Sequence, residues 1–325
     1  MKRNLTRLAR WCAALALAAA ASAAAAQSYP AKPIRIVVPY GAGGVADISA
    51  RVVAQRMTQT MGQQVIVENK PSAGGILASE MVAKAEPDGY TLLFITNGNA
   101  VSESLFKSLP YDSLRDFAPV STVGFFDFVF VTKPDSDVKS LGDVIGRMKA
   151  NPGKMNIATV SVGSGQNLAA ELFRSMAGVD AVIIPYKVTP DVVTAVRSGD
   201  VQLGVEILAP VLSQIKSGGL KALAVASARR SPILPDVPTV AESGVAGYEA
   251  SSWNGVAAPA KTPAAIVARL NKEVNAAVAS PDVKKRLSDL GIDPRAGTPE
   301  ELREKLVSDI AKWKAVIEKA GIPKR

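Results

Sequence analysis

The run Ile34 to Asp47, IRIVVPYGAGGVAD, confines the chain to a narrow set of folds. Five apolar residues, Ile34 to Val38, have the length and composition of a buried strand, and a glycine turn then leads directly into a helix start. That is the opening of an α/β unit, and its ingredients recur downstream. Short apolar runs at Val65 to Val67, Leu92 to Ile95, Phe128 to Val131, Ala181 to Ile184, Val201 to Ile207 and Ala222 to Ala226 alternate with helical patterns. Ile48, Val52, Val53, Met57 and Met61 repeat at helical spacing, as do Leu168, Leu172, Phe173 and Met176, and both stripes are read as core. Strands alternating with helices predict parallel-rich sheets flanked by helices. From Thr262 onward the pattern is helical alone. Thr262-Pro263, Ser280-Pro281 and Thr298-Pro299 each offer a cap residue with proline at the first helical position, and Glu301 completes a capping box with Thr298. Leu302, Leu306, Ile310, Trp313 and Ile317 mark the buried side of a long last helix.

The start of the chain reads as an export signal. Lys2, Arg3, Arg7 and Arg10 precede the apolar run Trp11 to Ala21, and Ala24-Ala25-Ala26 places cleavage near Ala26, which implies a periplasmic protein. A membrane anchor would need about 18 uninterrupted apolar residues. The sole cysteine, Cys12, falls inside this segment, so the mature chain has no thiol. The net charge of +9 drops to +5 once the four basic residues of the signal are removed. That excess is interspersed and suits small anions. No dense basic block interleaved with aromatics suggests a nucleic-acid partner.

A mature length of roughly 300 residues favours two lobes over one core. No Ser/Gly/Pro linker cuts the sequence into consecutive halves, so a discontinuous lobe is expected. Crossings near Val123 to Phe125 and Ser251 to Trp253 would assign residues 27–124 with 253–325 to lobe 1 and residues 125–252 to lobe 2, after a signal at 1–26.

Gly41-Ala42-Gly43-Gly44-Val45-Ala46-Asp47 is the first candidate site. Glycines let backbone approach a ligand closely, and unpaired amides at the next helix start attract a carboxylate or phosphate. Asp47 would complement the helix dipole and hold a water or a donor group of the ligand. The alternatives are an ordinary capped turn and a dinucleotide site, because Gly41, Gly43 and Ala46 fit G-x-G-x-x-A and Glu68 stands where a ribose contact is expected. Export away from the cytoplasmic nicotinamide pool and Pro39 at the strand end both weigh against the nucleotide. A second turn, Ser161-Val162-Gly163-Ser164-Gly165-Gln166, follows the strand around Ile157 to Val160 and repeats the first turn's logic. Two such helix starts facing across a cleft would clamp a small acid from both sides. Catalytic constellations are poorly supplied. The chain has no histidine, which removes the commonest general base and zinc ligand, and Asp116, Asp127, Asp135 and Asp137 lie in polar, turn-rich contexts. No catalytic residue, metal or cofactor is assigned.

Over its mature length the chain resembles the periplasmic solute-binding proteins of tripartite tricarboxylate transporters, the Bug receptors. The matching segments include YPAKPIRIVVPYGAGGVAD, VIVENKPSAGG, EPDGYTLLF, LPYDSLRDFAPVS, VIIPYK, SARRSPILPDVPTVAESG and YEASSWNGVAAPAKTP. The resemblance implies a two-lobed, hinge-closing α/β fold of the type II binding-protein kind that captures a small carboxylate and presents it to membrane subunits of a transporter, or to a sensor, as a monomer. Carried over by position, Gly43, Gly44, Val45 and Asp47 match the family's Gly-Gly-x-x-Asp, with Tyr40 beside them, and Thr96 and Asn97 match the loop after the third strand. Ser164 matches a Thr or Ser of the second turn, flanked by Ser161, Gly165 and Gln166, and Tyr186 and Lys187 match a Pro-Tyr-Lys segment. Three departures stand out: Asn167 replaces a common histidine, Glu206 a common aspartate, and Tyr40-Gly41-Ala42 a common Phe-Pro-Pro. A cleft-facing Glu206 would favour an amino, amide or hydroxyl group on the ligand over a second acid. An enzyme on the same scaffold is the rival reading.

Overall fold

In the computed structural model residues 29–325 are described, so the expected signal and its cleavage point lie outside the described residues. The chain runs β1 (Ile34–Val38), α1 (Val45–Met61), β2 (Val65–Asn69), α2 (Ile76–Ala83), β3 (Thr91–Thr96), α3 (Asn97–Leu105) and then a long β4 (Phe117–Thr132). It continues as α4 (Leu141–Ala150), β5 (Asn156–Val160), α5 (Gly165–Ala177), β6 (Val182–Tyr186), α6 (Thr189–Ser198), β7 (Leu203–Ile207), α7 (Leu208–Lys216) and β8 (Lys221–Val225). The return is made by β9 (Ser251–Pro259), followed by α8 (Ala264–Ala279), α9 (Pro281–Asp289), β10 (Ile292–Pro294) and α10 (Pro299–Ala320).

Strand order is β2-β1-β3-β9-β4-β7-β5-β6, with β8 and β10 also pairing on β4. β1 pairs in parallel with β2 and β3, and β5 with β6 and β7, as alternating strands and helices predict. The centre is antiparallel, because β4 and β9 run against each other and against β3 and β7. The first half of β4 pairs with β9 and β10, and its second half with β7 and β8. One 16-residue strand therefore serves both sheets, and register irregularities at Pro119/Ser121 and Thr122/Gly124 bend it on the way. The two lobes meet along this strand.

Why the strand spans this distance is written in its side chains. Val120, Val123, Phe128, Val129, Phe130 and Val131 are all buried, each contributing on the order of 2 kcal/mol by leaving water. Behind the sheets α10 braces both lobes. Leu302, Leu306, Trp313 and Ile317 join a core that also contains Leu93 and Phe117 on one side and Leu168, Phe173 and Leu203 on the other. Its two deepest aromatics keep their polar edges satisfied: Trp313 Nε1 donates to Asn97 Oδ1 at 2.8 Å, and Trp253 Nε1 to Asp309 Oδ2 at 2.6 Å.

Three local expectations change. Thr298 does cap α10, in a reciprocal box with Glu301, but Pro263 itself is the cap residue of α8 and the Thr262 hydroxyl is buried without a partner. Met176, read as core, is exposed at the end of α5's stripe. The last quarter is not purely helical, since Ile292–Pro294 adds a short strand to β4.

Candidate ligand-binding site

Three helix starts converge on a cavity of about 600 Å³ between the lobes. The first belongs to α1. Gly43 adopts φ 82°, a left-handed turn that favours glycine, and its amide donates to Asp47 Oδ2 at 2.9 Å. Asp47 also accepts from Arg51 Nε and Asn69 Nδ2, each at 2.9 Å, and Asn69 in turn donates to the Tyr40 carbonyl. Burial alone would raise the Asp47 pKa. Hydrogen bonds from Arg51, Gly43 and Asn69 outweigh it and hold the carboxyl below the usual range. The cap position of α1 is Gly44, which has no side chain to fold back over the helix start. Gly44, Val45 and Ala46 consequently line the cavity at the positive end of the helix.

The start of α5 is built the same way in the other lobe. Gly163 has φ 79° and donates to Asn167 Oδ1 at 2.9 Å, while Asn167 Nδ2 reaches Thr159 Oγ1 at 3.3 Å. Here a side chain does cap the helix: Ser164 Oγ accepts from the Asn167 amide at 3.1 Å and donates to the Val160 carbonyl at 3.0 Å. The third start is α3, capped by Thr96, whose Oγ1 accepts from Gly98 N at 3.2 Å and lies 3.4 Å from the Tyr40 hydroxyl.

The cavity thus gathers Tyr40, Gly44, Val45, Thr96 and Asn97 from one lobe and Ser161, Ser164, Gly165 and Gln166 from the other. Gly43, Asp47, Tyr186, Lys187 and Glu206 do not line it. The Gly43 amide is already given to Asp47, and Asp47 is buried beneath the turn, where it accepts from Gly43, Arg51 and Asn69 and so ties the loop together. Tyr186 ends the edge strand β6 and packs on the second lobe's core, its carbonyl accepting from Ser161 N, and Lys187 lies exposed just beyond. Glu206 is fully buried behind Gln166: Oε2 accepts from Thr189 Oγ1 at 3.0 Å and from Gln166 Nε2 at 3.4 Å, and burial holds its carboxyl above the usual range. The nucleotide alternative also loses its acid, since Glu68 is ion-paired with Lys70 at 2.8 Å and Arg35 at 3.1 Å.

Sequence reasoning missed the floor and one rim. Phe126 and Phe128 of β4 and Ser252 and Asn254 of β9 form the floor, and Arg325 reaches in beside Val162, donating Nη2 to its carbonyl at 2.7 Å. Alternation along β9 carried the signal for Asn254, because Trp253 has to face the core. No local pattern places Arg325, which arrives by backbone bonds to Leu105 and Lys107. Among the described residues no acidic side chain lines the cavity, and its apolar wall is large. Among the described residues no cluster of His, Cys, Asp or Glu could hold a metal.

A mixed-sheet α/β protein of two lobes, with helix starts facing a cleft at the crossing strands, has the architecture of a solute-binding receptor. Comparison supplies the family. Residues 49–322 match the tripartite tricarboxylate transporter family receptor, and the chain belongs to that family. It is 38% identical over 321 residues to protein BugT of Bordetella pertussis, covering 98% of each chain. Among solved structures, Rpa4515 of R. palustris, described with adipate, is 32% identical with a TM-score of 0.78 over 92% of this chain and 100% of that one. MatC of Rhodopseudomonas palustris, described with bound malate, is 31% identical with a TM-score of 0.73 over 89% and 100%.

Proposed function

We propose that this receptor binds a small carboxylate-bearing metabolite in the cleft, with the carboxylate seated on the bare helix start of α1, and hands it to membrane subunits of a tripartite tricarboxylate-type transporter. The observation that carries the reading is the convergence of three helix N-termini on a cavity with no acidic lining. A carboxylate leaving water there exchanges its hydration for oriented amides and a favourable dipole. Adipate and malate on the two relatives fit the same chemistry.

The division places residues 27–124 together with 253–325 in lobe 1 and 125–252 in lobe 2, supported by β4, which pairs with β9 in one sheet and with β7 and β8 in the other. The signal at 1–26 would deliver the protein to the periplasm, cleaved near Ala26. Contacts that join the lobes sit at the cleft edge: a Cβ on Gly163 would stand 2.8 Å from Leu105, and Arg325 reaches Val162. A solute meeting both walls favours the closed state by its differential affinity for it, and that state is what a permease would read.

A thermal-shift screen of monocarboxylates, dicarboxylates, hydroxy acids and aromatic acids tests the proposal. A ligand at a hundred times its Kd adds about 2.7 kcal/mol of stability, a rise in midpoint that is easily read. If no carboxylate moves the midpoint while neutral or cationic solutes do, the reading is wrong.

A further inference from the structure

Asn254 is the one residue of the cleft whose chemistry the fold does not explain. It lies in β9, opposite Thr96 of β3 on one side and Gly124 of β4 on the other, next to the register irregularity of β4 at Thr122/Gly124. Its neighbour Trp253 points to the opposite face, held by Asp309, so Asn254 and Ser252 point into the cleft beside Phe126. Its side chain is wholly buried, and neither Oδ1 nor Nδ2 has a hydrogen-bond partner. A buried amide left unpaired on both atoms destabilises the protein, and a leucine of similar size would remove the penalty.

We infer that Asn254 is a specificity-determining residue, and that the ligand carries, besides its carboxylate, a neutral group that both donates and accepts hydrogen bonds: a hydroxyl or a carboxamide. This inference rests on the receptor reading above. The argument is one of complementarity. A primary amide offers two donor hydrogens and an acceptor oxygen side by side. A second carboxylate satisfies Nδ2 but presses its own oxygens against Oδ1, and a methyl satisfies neither. The discrimination that the sequence suggested for Glu206 therefore passes to Asn254, because Glu206 is sealed behind Gln166. Charge on the cleft wall agrees. Among the described residues Arg325 is the only cationic side chain lining it, and it already donates to the Val162 carbonyl. Asn254 pairs with Gly124 of β4, the strand that runs on into the second sheet, so a ligand pairing with it is held beside the strand common to both lobes.

The test is calorimetric titration of the purified protein with two matched series. One comprises 4-hydroxybutanoate, succinamate, succinate and butanoate; the other comprises their six-carbon counterparts. We expect the hydroxy or carboxamide acid of at least one series to bind at least about tenfold tighter than the diacid and the alkanoate of the same length. Asn254→Leu should erase that preference while leaving the alkanoate within about threefold of its wild-type affinity. The inference is overturned if the wild-type protein shows no such preference, or if Asn254→Leu retains it. Should Asn254→Leu lose its native circular dichroism, Asn254→Ala decides by the same comparison. If no acid of either series binds while another carboxylate of the thermal-shift screen does, the inference is overturned and the carboxylate reading stands; if no carboxylate of that screen binds, the carboxylate reading itself has failed.

Discussion

At the ends of β1 and β5 the chain performs the same manoeuvre. A glycine in the left-handed region, Gly43 or Gly163, turns the backbone, and its amide is caught by the side chain four residues on, Asp47 or Asn167, in the first turn of the following helix. The finish differs. In lobe 1 the catcher is a carboxylate neutralised by Arg51 and tied to β2 through Asn69, and the helix start carries a bare glycine. In lobe 2 the catcher is a neutral amide on Thr159, and Ser164 folds over the helix start. Where a side chain already caps the helix, fewer amides remain for a solute. On the proposed reading the first loop is the anion seat and the second a wall that the solute meets from the other lobe.

The largest expected asymmetry is in stability. Asp47→Ala strips acceptors from Gly43, Arg51 and Asn69 at a site where the carboxylate is 3% exposed, and should destabilise by about 2–3 kcal/mol. Asn167→Ala removes two neutral hydrogen bonds and should cost about 1–2 kcal/mol. Urea unfolding of the two variants checks this. Equal losses would mean that the charge on Asp47 contributes nothing and that the two loops are alike in more than outline.

Next in size is a split between stability and affinity at the glycines. Gly43→Ala and Gly163→Ala both force alanine into positive φ, at about 1 kcal/mol each. A Cβ at 43 meets nothing within 4 Å, whereas one at 163 would stand 2.8 Å from Leu105 of the opposite lobe. Gly163→Ala should therefore weaken the best ligand several-fold more than Gly43→Ala at similar thermal midpoints, measured by titration. If Gly43→Ala is the more damaging to binding, the closure contact is not at Leu105.

Much of this architecture was legible in the residues because local rules and tertiary packing agreed. The strand, glycine turn and helix start from Ile34 to Asp47 is where the pattern places it, and so is the second turn at Ser161 to Gln166. Boundaries suffered where packing over-rode pattern: Phe128 to Val131 proved to be only the end of a 16-residue strand, because its first half is buried by β9 and not by an apolar run of its own. Side-chain roles were the least legible. Asp47 and Glu206 look like ligand groups in a linear motif, but a carboxylate next to a turn meets the turn's own amides first. The residues that complete the cavity, Phe126, Asn254 and Arg325, are brought there by strands and a segment distant in sequence, and no motif spans that separation.

The smallest effect separates the lobes by the sign of their pH dependence. The Asp47 carboxyl is held below its ordinary value of 3.8, so the stability it contributes is present above that value and is lost as pH falls through the lower, folded one. Glu206 is the reverse. Burial raises its carboxyl above the ordinary 4.5, against partial relief from Gln166 and Thr189, so the folded protein holds this proton more tightly than the unfolded chain does. Its stabilising contribution is complete below 4.5 and is lost as pH rises through the raised value, leaving at neutral pH a buried charge whose Oε1 has no partner. Glu206→Gln keeps the shape and removes the charge. It should raise stability at pH 7 and by much less at pH 4, read from thermal midpoints at the two values. A gain that is the same at both, or a loss at pH 7, would show that Glu206 is stabilised as a carboxylate by the helix starts of α5 and α6, and lobe 2 would then hold a second fixed anion in place of a neutral wall.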